Sequence, residues 1–375
     1  MGARSLAYGA LTIGVETEST SQADGHLAWL EEFLCPPFVA GDAAAPDVTV
    51  ALVVDRRRHA AETDAWTARE EIDCFALDST VLSLPVRRES DAALVVRDEQ
   101  FGTFYRVDRA ARRVEVLAHR DRPALRTPLM RIVREIAMNH ARRRGELFVH
   151  AASVACDDRA VLLCGVKNAG KTTLLIHALT TLDAGYLGND RAVVTFDGAV
   201  ARVRGMPSIV TVRAPTLALL PAFRDRLTAS GYHSRATLAE VAAGTASEPV
   251  PFSDGRTGLT PPQLVRLAGS TCVTEATAHA IAFPRVTGRS GPLRVRPLDT
   301  AVAAERLAGS AWDGSNLNRI AAALDFESAT PLDAPSWHER CARLVSQVRA
   351  YEVELGNDAY GDADASRAEL ARLFT

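Results

Sequence analysis

The 375-residue sequence has little lysine, few cysteines and no long apolar run. Its six cysteines are scattered without a Cys-x-x-Cys pair, which argues against a disulfide framework or a zinc site in a chain of this length. Apolar runs all fall short of the roughly 18 residues that a membrane helix needs. The first residues lack the apolar core of a signal peptide, so we expect a cytoplasmic protein without a membrane partner. A net charge of −3 gives no field that would attract nucleic acid.

Hydrophobic residues make up 47% of the chain and charged residues 24%, which is typical of a soluble globular protein with a sizeable core. Up to about residue 120, alternating apolar and polar residues predict a β-rich region in which no chemical motif occurs. We interpret the basic cluster Arg56–His59 there as the solvated end of a strand. The strands predicted in this region are 47–55, 80–86, 93–97, 102–107 and 113–117.

One motif stands out in the second part of the chain. Residues 165–172 read Gly-Val-Lys-Asn-Ala-Gly-Lys-Thr and match the phosphate-binding loop (P-loop) pattern G-x-x-x-x-G-K-[ST] at every fixed position. An apolar run at 160–164 precedes it and a helical pattern follows, which is the context this loop requires. Loop amides and the helix N-terminus would hold a polyphosphate. The predicted nucleotide-binding residues are Gly165, Val166, Lys167, Asn168, Ala169, Gly170, Lys171, Thr172 and Thr173, and the alternative is a Gly-rich turn before an ordinary helix.

Phosphoryl transfer needs further groups besides this loop. Lys171 supplies a point charge for the outer phosphates, and the Thr172 hydroxyl can ligate Mg²⁺. Asp190 is the first candidate acid, although it could be a surface residue at the start of a strand. Asp197 also follows an apolar run, but the Asp-Gly pair at 197–198 favours a hairpin turn. His150 lies in an apolar strand that we expect to pair with the strand before the P-loop, where it is either a core residue or aimed at the phosphates.

The order of these segments resembles the HPr kinase/phosphorylase family, and more closely the HPr-kinase-related kinases of biosynthetic gene clusters. A histidine strand at 150–154, an antiparallel P-loop strand, the loop at 165–172 and an acidic turn at 188–191 follow one another as in that family. The resemblance covers about residues 127–300, including Phe283-Pro284-Arg285. It implies that ATP or GTP with Mg²⁺ is bound at the P-loop. The family also forms oligomers, which makes a homo-oligomer one candidate state of this chain, although no segment of the sequence identifies an interface.

The resemblance also implies roles for individual residues. Asp190 matches the second acid of the family's acidic pair and would act as catalytic base and metal contact, while His150 would assist. Asn189 stands where the family often has the first acid, which bears on any reaction that needs two carboxylates, including the reverse, phosphorolytic one. An arginine should complete the site, and Arg213 and Arg256 are the candidates, with a solvated surface as the alternative for each. Ser208 and Arg285 are two further candidates.

We therefore predict an α/β protein with a β-rich (α+β) N-terminal domain at 1–126 and an HPr-kinase-like domain with a mixed sheet at 127–375. The predicted activity is transfer of the γ-phosphate of ATP or GTP to a hydroxyl of a small molecule, such as a nucleoside-type intermediate of a secondary-metabolite pathway. One alternative is a kinase that acts on a peptide or protein serine. Another is a regulator that hydrolyses its nucleotide without an acceptor.

Overall fold

The structure is a computed structural model that describes residues 2–18, 21–41, 45–75, 81–230, 256–310, 320–326 and 337–375. The sequence from 231 to 258 is polar and has little periodicity, and it lies mostly outside these residues. The chain divides into two compact units. The first contains the described residues up to Ala141 together with 320–326, and the second contains the remaining ones. The domain boundary expected at residue 126 stays a prediction. None of the described helices has the length and apolar character needed to cross a bilayer.

The described residues form a mixed α/β protein, which confirms the predicted class. Its strands are β1 Gly2–Tyr8, β2 Leu11–Glu18, β3 Val39–Gly41, β4 Val48–Val54, β5 Glu70–Phe75, β6 Val81–Arg88, β7 Ala93–Asp98, β8 Thr103–Asp108, β9 Arg113–Ala118, β10 Leu147–Val149, β11 Ala151–Cys156, β12 Arg159–Cys164, β13 Gly185–Gly188, β14 Ala192–Asp197, β15 Val200–Gly205, β16 Val210–Arg213, β17 Arg256–Leu259, β18 Ala276–Val286, β19 Arg294–Pro297 and β20 Arg349–Leu355. Its helices are α1 Ala23–Leu34, α2 Arg56–Asp64, α3 Arg126–Arg143, α4 Lys171–Thr181, α5 Ala214–Leu219, α6 Pro221–Ser230, α7 Pro261–Ala268, α8 Thr300–Ala308, α9 Ile320–Ala323, α10 Trp337–Gln347 and α11 Ala363–Ala371.

The first unit is built on a nine-stranded sheet of order β3-β1-β2-β4-β9-β8-β7-β6-β5. Only the β2–β4 and β4–β9 pairs are parallel. The strands predicted from alternation are confirmed here as β4, β6, β7, β8 and β9. The interpretation of Arg56–His59 as a strand end was wrong, because these residues open α2. The Asp55 carboxylate accepts hydrogen bonds from the backbone amides of Arg57 and Arg58 and so caps that helix.

The second unit contains a sheet of order β10-β14-β15-β18-β12-β11-β13, with β20 also paired to β18 and β19 to β20. β12 is buried on both faces, which explains its continuous apolar sequence. Val161 and Leu163 face a core shared with α4, whereas Leu162 and Cys164 face a core shared with α8 and α10. β11 and β12 pair antiparallel, so the predicted hairpin is confirmed.

Strand directions in this sheet bring several strand ends to one edge. β18 is parallel to β12, and β20 is parallel to β18. β13 is antiparallel to β11, and β11 is antiparallel to β12, so β13 runs in the same direction as β12. The carboxyl ends of β13, β12, β18 and β20 and the beginning of β11 therefore lie along the same edge. Open α/β sheets bind their ligands at such an edge.

Two short kinks interrupt this sheet at the same edge. The apolar strand predicted to contain His150 is broken at this residue, where β10 ends and β11 begins. β10 pairs with β14, while β11 pairs with β12 and β13. The chain makes a second change of partner at 189–191, between β13 and β14. Because β10–β14 and β11–β13 are both paired, the two kinks are brought opposite each other.

Candidate functional site

The P-loop lies between β12 and α4, as predicted, and its backbone requires residues that tolerate positive φ. Gly165 has φ of 146°, Asn168 has φ of 70° and Gly170 has φ of 104°. A Cβ on Gly170 would lie 3.0 Å from side-chain atoms of both Leu355 and Val286. Glycine at 170 thus serves two needs, since it adopts the left-handed conformation and lets β18 and β20 pack against the start of α4.

Lys171, the first residue of α4, reaches back across the loop. Its Nζ donates hydrogen bonds to the carbonyl oxygens of Gly165 at 2.6 Å and Val166 at 3.0 Å. Burial lowers the pKa of Lys171 below its usual value, and the nearby Asp190 carboxylate opposes this effect. The ammonium group is therefore held against the backbone of the loop.

The position of Lys171 is informative because lysine is rare in this sequence. Lysine occurs at only two places in the chain, Lys167 and Lys171, among 43 lysine and arginine residues. Both lie in the P-loop, while every other cation of this kind is arginine. An ammonium is a compact point charge, whereas a guanidinium is a planar fork that does not fit the same space. Of the two lysines, Lys171 is the one whose ammonium bonds the carbonyl oxygens of Gly165 and Val166.

The remaining predicted loop residues differ in exposure. Val166, Lys167 and Asn168 are exposed at the tip. Gly165, Ala169, Gly170 and Thr172 are partly buried, while Thr173 is buried. The Thr173 hydroxyl lies 3.0 Å from that of Thr216 in α5, which ties the first turn of α4 to the segment after β16.

His150 and Asp190 are brought together by the two kinks. Nε2 of His150 lies 3.4 Å from Oδ1 of Asp190, and the side chains are 50% and 51% exposed. Asp190 has φ of 65°, and the amide of Arg191 donates to the carbonyl of Asn189 at 2.7 Å, which closes a γ-turn with positive φ at Asp190. Such turns are rare and strained for a non-glycine residue, and strained backbone concentrates at functional sites.

Burial is the main cause that favours the neutral form of His150. Partial burial lowers the pKa of the His150 imidazole below its usual value of 6.5, and the cations of Lys171 and Arg191 lower it further. Asp190 acts in the opposite direction. Lys171, Asp190, His150 and Arg191 therefore form one electrostatic group at the edge of the sheet. A neutral imidazole beside a carboxylate can accept a proton from a hydroxyl.

Asn189 is a structural support for Asp190 and is itself buried. Its Oδ1 accepts a hydrogen bond from the Tyr186 hydroxyl. Its Nδ2 donates to the Ser208 hydroxyl at 3.0 Å and to the Ile209 carbonyl at 3.3 Å. Both ends of the amide are thus engaged within the protein, and the strained turn at Asp190 is fixed to the segment that precedes β16. A carboxylate at 189 could not donate to Ile209, so an amide suits this position.

The other candidates from the sequence do not contact His150 or Asp190 in the described part of the chain. Ser208 is buried as the Asn189 partner, and Asp197 ends β14 at a hairpin with Gly198, which confirms the turn interpretation. Arg285 pairs with Glu354 and lies 3.7 Å from Glu352 on the end of β20.

Arg213 and Arg256 are directly opposite in the antiparallel β16–β17 pair. Arg213 is half-buried and precedes α5, and its guanidinium makes no ion pair with the described residues. Only the backbone of Arg256 is described. The structure does not bring Arg213 into contact with His150 or Asp190, and the catalytic roles of both arginines stay predictions.

Arg191 is a member of the site that was not predicted from the sequence. Its Nε lies 3.7 Å from Oδ2 of Asp190, and its side chain is 18% exposed. The signal was its position directly after Asp190, but a neighbour in sequence usually points elsewhere when the backbone is extended. The turn at Asp190 is what places the two side chains together.

The groups predicted to hold Mg²⁺ are Thr172 and Asp190. Within the described ranges, no cluster of three or more His, Cys, Asp or Glu side chains could hold a metal by itself. Mg²⁺ in nucleotide sites is usually bound by one or two protein oxygens together with phosphates and water. One hydroxyl and one half-exposed carboxylate beside a phosphate loop fit an ion of that kind.

Comparison of the chain with family models found no match, and comparison with curated proteins found no significant match.

Proposed function

We propose that this protein is an HPr-kinase-like phosphotransferase, which moves the γ-phosphate of ATP or GTP to a hydroxyl of a small molecule such as a nucleoside-type intermediate. The observation that carries the proposal is the 3.4 Å approach of His150 Nε2 to Asp190 Oδ1 at the same sheet edge as the P-loop. Binding of a phosphate without transfer would need only the P-loop. A carboxylate and a neutral histidine beside it are the groups that hydroxyl activation needs.

Each residue of the site has a separate role in the proposed reaction. The Asp190 carboxylate orients the acceptor hydroxyl and accepts its proton, and the neutral His150 beside it shares or relays that proton. The hydroxyl oxygen then attacks the γ-phosphorus in line, and the bond to the β-phosphate oxygen breaks. Lys171 and the loop amides stabilise the negative charge on the transferred group and on the departing diphosphate. The strained turn at 189–191 holds Asp190 in place throughout.

Thr172 and Asp190 would hold the Mg²⁺ that accompanies the nucleotide, and this ion would neutralise charge on the β- and γ-phosphates. Arg213 and Arg256 are proposed to add cationic charge near the transferred group. Because residue 189 is asparagine, Asp190 is the single acid of the turn at 188–191. A single acid supports transfer in the forward direction over phosphorolysis.

The test is an acceptor screen with ATP and GTP over hydroxylated metabolites, which follows nucleoside diphosphate and the phosphorylated product by mass. The proposal predicts diphosphate formation that depends on an acceptor and yields an equal amount of phosphorylated small molecule. Phosphorylation of peptide serines only would contradict the small-molecule assignment. Equal rates of hydrolysis with and without acceptors would contradict the kinase and favour a nucleotide-hydrolysing regulator.

A further inference from the structure

The P-loop has chemically different neighbours on its two sides. In the order of the sheet, β11 and β13 lie on one side of β12, and β18 with β20 lies on the other. His150 and Asp190 belong to the β11–β13 side. With the γ-phosphate at these groups, the nucleoside half would extend from the loop toward the β18–β20 side.

The β18–β20 side presents an apolar surface at the loop. Val286, the last residue of β18, is 44% exposed although it lies close to the start of α4. Pro284 and Leu355 approach the same glycine, Gly170. Val166 at the loop tip is 76% exposed. Two of the few large hydrophobic side chains that the described residues expose are thus found at one edge, on and beside the P-loop.

The segment that follows Val286 is tied by hydrogen bonds to the residues at and after the end of β20. The amide of Thr287 donates to the Leu355 carbonyl at 3.0 Å, and that of Asn357 donates to the Arg289 carbonyl at 2.8 Å. The Asp358 carboxylate accepts from the amide of Gly291 at 2.8 Å and from the Ser290 hydroxyl. A loop fixed in this way keeps Val286 at the surface, and preorganised apolar surface binds a ligand at low entropic cost.

We infer that Val286 and the 287–291 loop form the subsite for the nucleoside half of the phosphoryl donor. The inference rests on the proposed function in taking the P-loop to hold a nucleotide. The base, a flat group with apolar faces, covers the exposed Val286 side chain, while the triphosphate runs through the loop toward Lys171 and Asp190. Apolar walls with a few polar groups are usual for such sites.

The experiment is calorimetric titration of the full chain with ATP and with inorganic tripolyphosphate, both in Mg²⁺. Val286→Asp places a charge where the base would lie, and Val200→Asp is the matched control, since Val200 is 45% exposed on the β14–β15 hairpin. We expect Val286→Asp to raise the Kd of ATP by about tenfold, the size expected for losing roughly half of a buried valine contact. The Kd of tripolyphosphate and both values for Val200→Asp should change less than about twofold. Val286→Leu, which keeps the apolar surface, should bind ATP as well as the wild type.

Three results would overturn the subsite. These are an unchanged Kd of ATP in Val286→Asp, an equal loss for ATP and tripolyphosphate, or a wild type that binds both with the same affinity. Failure of the proposed function gives a different pattern. A wild type that binds neither ATP nor GTP contradicts the function itself, whereas nucleotide binding without transfer to any hydroxyl contradicts the kinase and leaves the subsite standing.

Discussion

The two sides of the P-loop strand differ in the kind of residue that the fold brings to the edge. On the β11–β13 side, kinks at His150 and at 189–191 turn polar side chains outward, and one of these carries a strained backbone. On the β18–β20 side, strands end without a kink and expose Val286 beside tightly packed Pro284 and Leu355. The first side places a carboxylate and an imidazole, which can move a proton, beside the P-loop, whereas the side chains of the second side that approach Gly170 are apolar.

Under the proposed function, the first side would perform the chemistry and the second would recognise the nucleotide. Changes on the kinked side should alter the rate of transfer with little effect on nucleotide affinity, because an interaction made only in the transition state acts on the rate. Changes on the apolar side should weaken nucleotide affinity with little effect on the rate of transfer. The P-loop between them should affect both.

The largest effect is expected at Lys171, because this residue should contribute both to ATP binding and to transfer. Lys171→Ala should lower transfer by about 10³-fold and weaken ATP binding as well, because the ammonium stabilises phosphate charge both before and during transfer. Lys171→Arg should also lose most activity, since a guanidinium does not fit between the carbonyls of Gly165 and Val166. Initial rates and calorimetric titration measure the two effects.

The chain offers a matched control for this experiment. Lys167 is the other lysine of the same loop, and it is exposed. Lys167→Arg should leave rate and affinity within about threefold of the wild type, as for other surface substitutions. Equal losses of rate and affinity in Lys171→Arg and Lys167→Arg would contradict a specific requirement for lysine at position 171.

An intermediate effect is expected at Asn189. Asn189→Leu removes hydrogen bonds to Tyr186, Ser208 and Ile209, and it should lower the free energy of unfolding by about 1–3 kcal/mol. Transfer should fall by about tenfold to a hundredfold, because Asp190 is no longer held in place. Denaturant unfolding, rates and ATP titration measure these changes.

Two comparison variants separate position from stability. Tyr186→Phe removes a single hydrogen bond and should have a smaller effect on rate, while Asn189→Asp should not raise activity although it supplies a second acid. A higher rate of transfer or of phosphorolysis in Asn189→Asp would contradict the supporting role of the amide.

The smallest expected effect is on the pH dependence of kcat. Since the pKa of His150 is lowered, its neutral form persists to below pH 6.5, and kcat should stay level above this pH and fall only as the pH drops through the lowered value. Arg191→Gln removes one cation that lowers this pKa, so the fall should begin at a higher pH. The pH dependence of kcat for the two proteins measures the shift. A fall that starts above pH 6.5 in the wild type would mean that another group controls it.

The sequence predicted the P-loop, its flanking elements and the β11–β12 hairpin because each depends on local pattern. It did not predict the break at His150, since the residues from 147 to 155 form one apolar run and the break arises from a change of strand partner. The role of Asn189 was also hidden, because its partner Ser208 lies 19 residues away and meets it only in the folded chain. Patterns within a strand are visible in sequence, whereas kinks that depend on pairing are not.

The most direct test uses Asp190→Asn, which keeps the size of the side chain and removes its negative charge. ATP affinity and phosphoryl transfer should be measured on the same preparations of variant and wild type. We predict that transfer falls by at least about a hundredfold, the usual contribution of a general base, while the Kd of ATP stays within about threefold. Transfer at an undiminished rate, or a loss of ATP binding equal to the loss of rate, would contradict the assignment of Asp190 as the group that activates the acceptor hydroxyl.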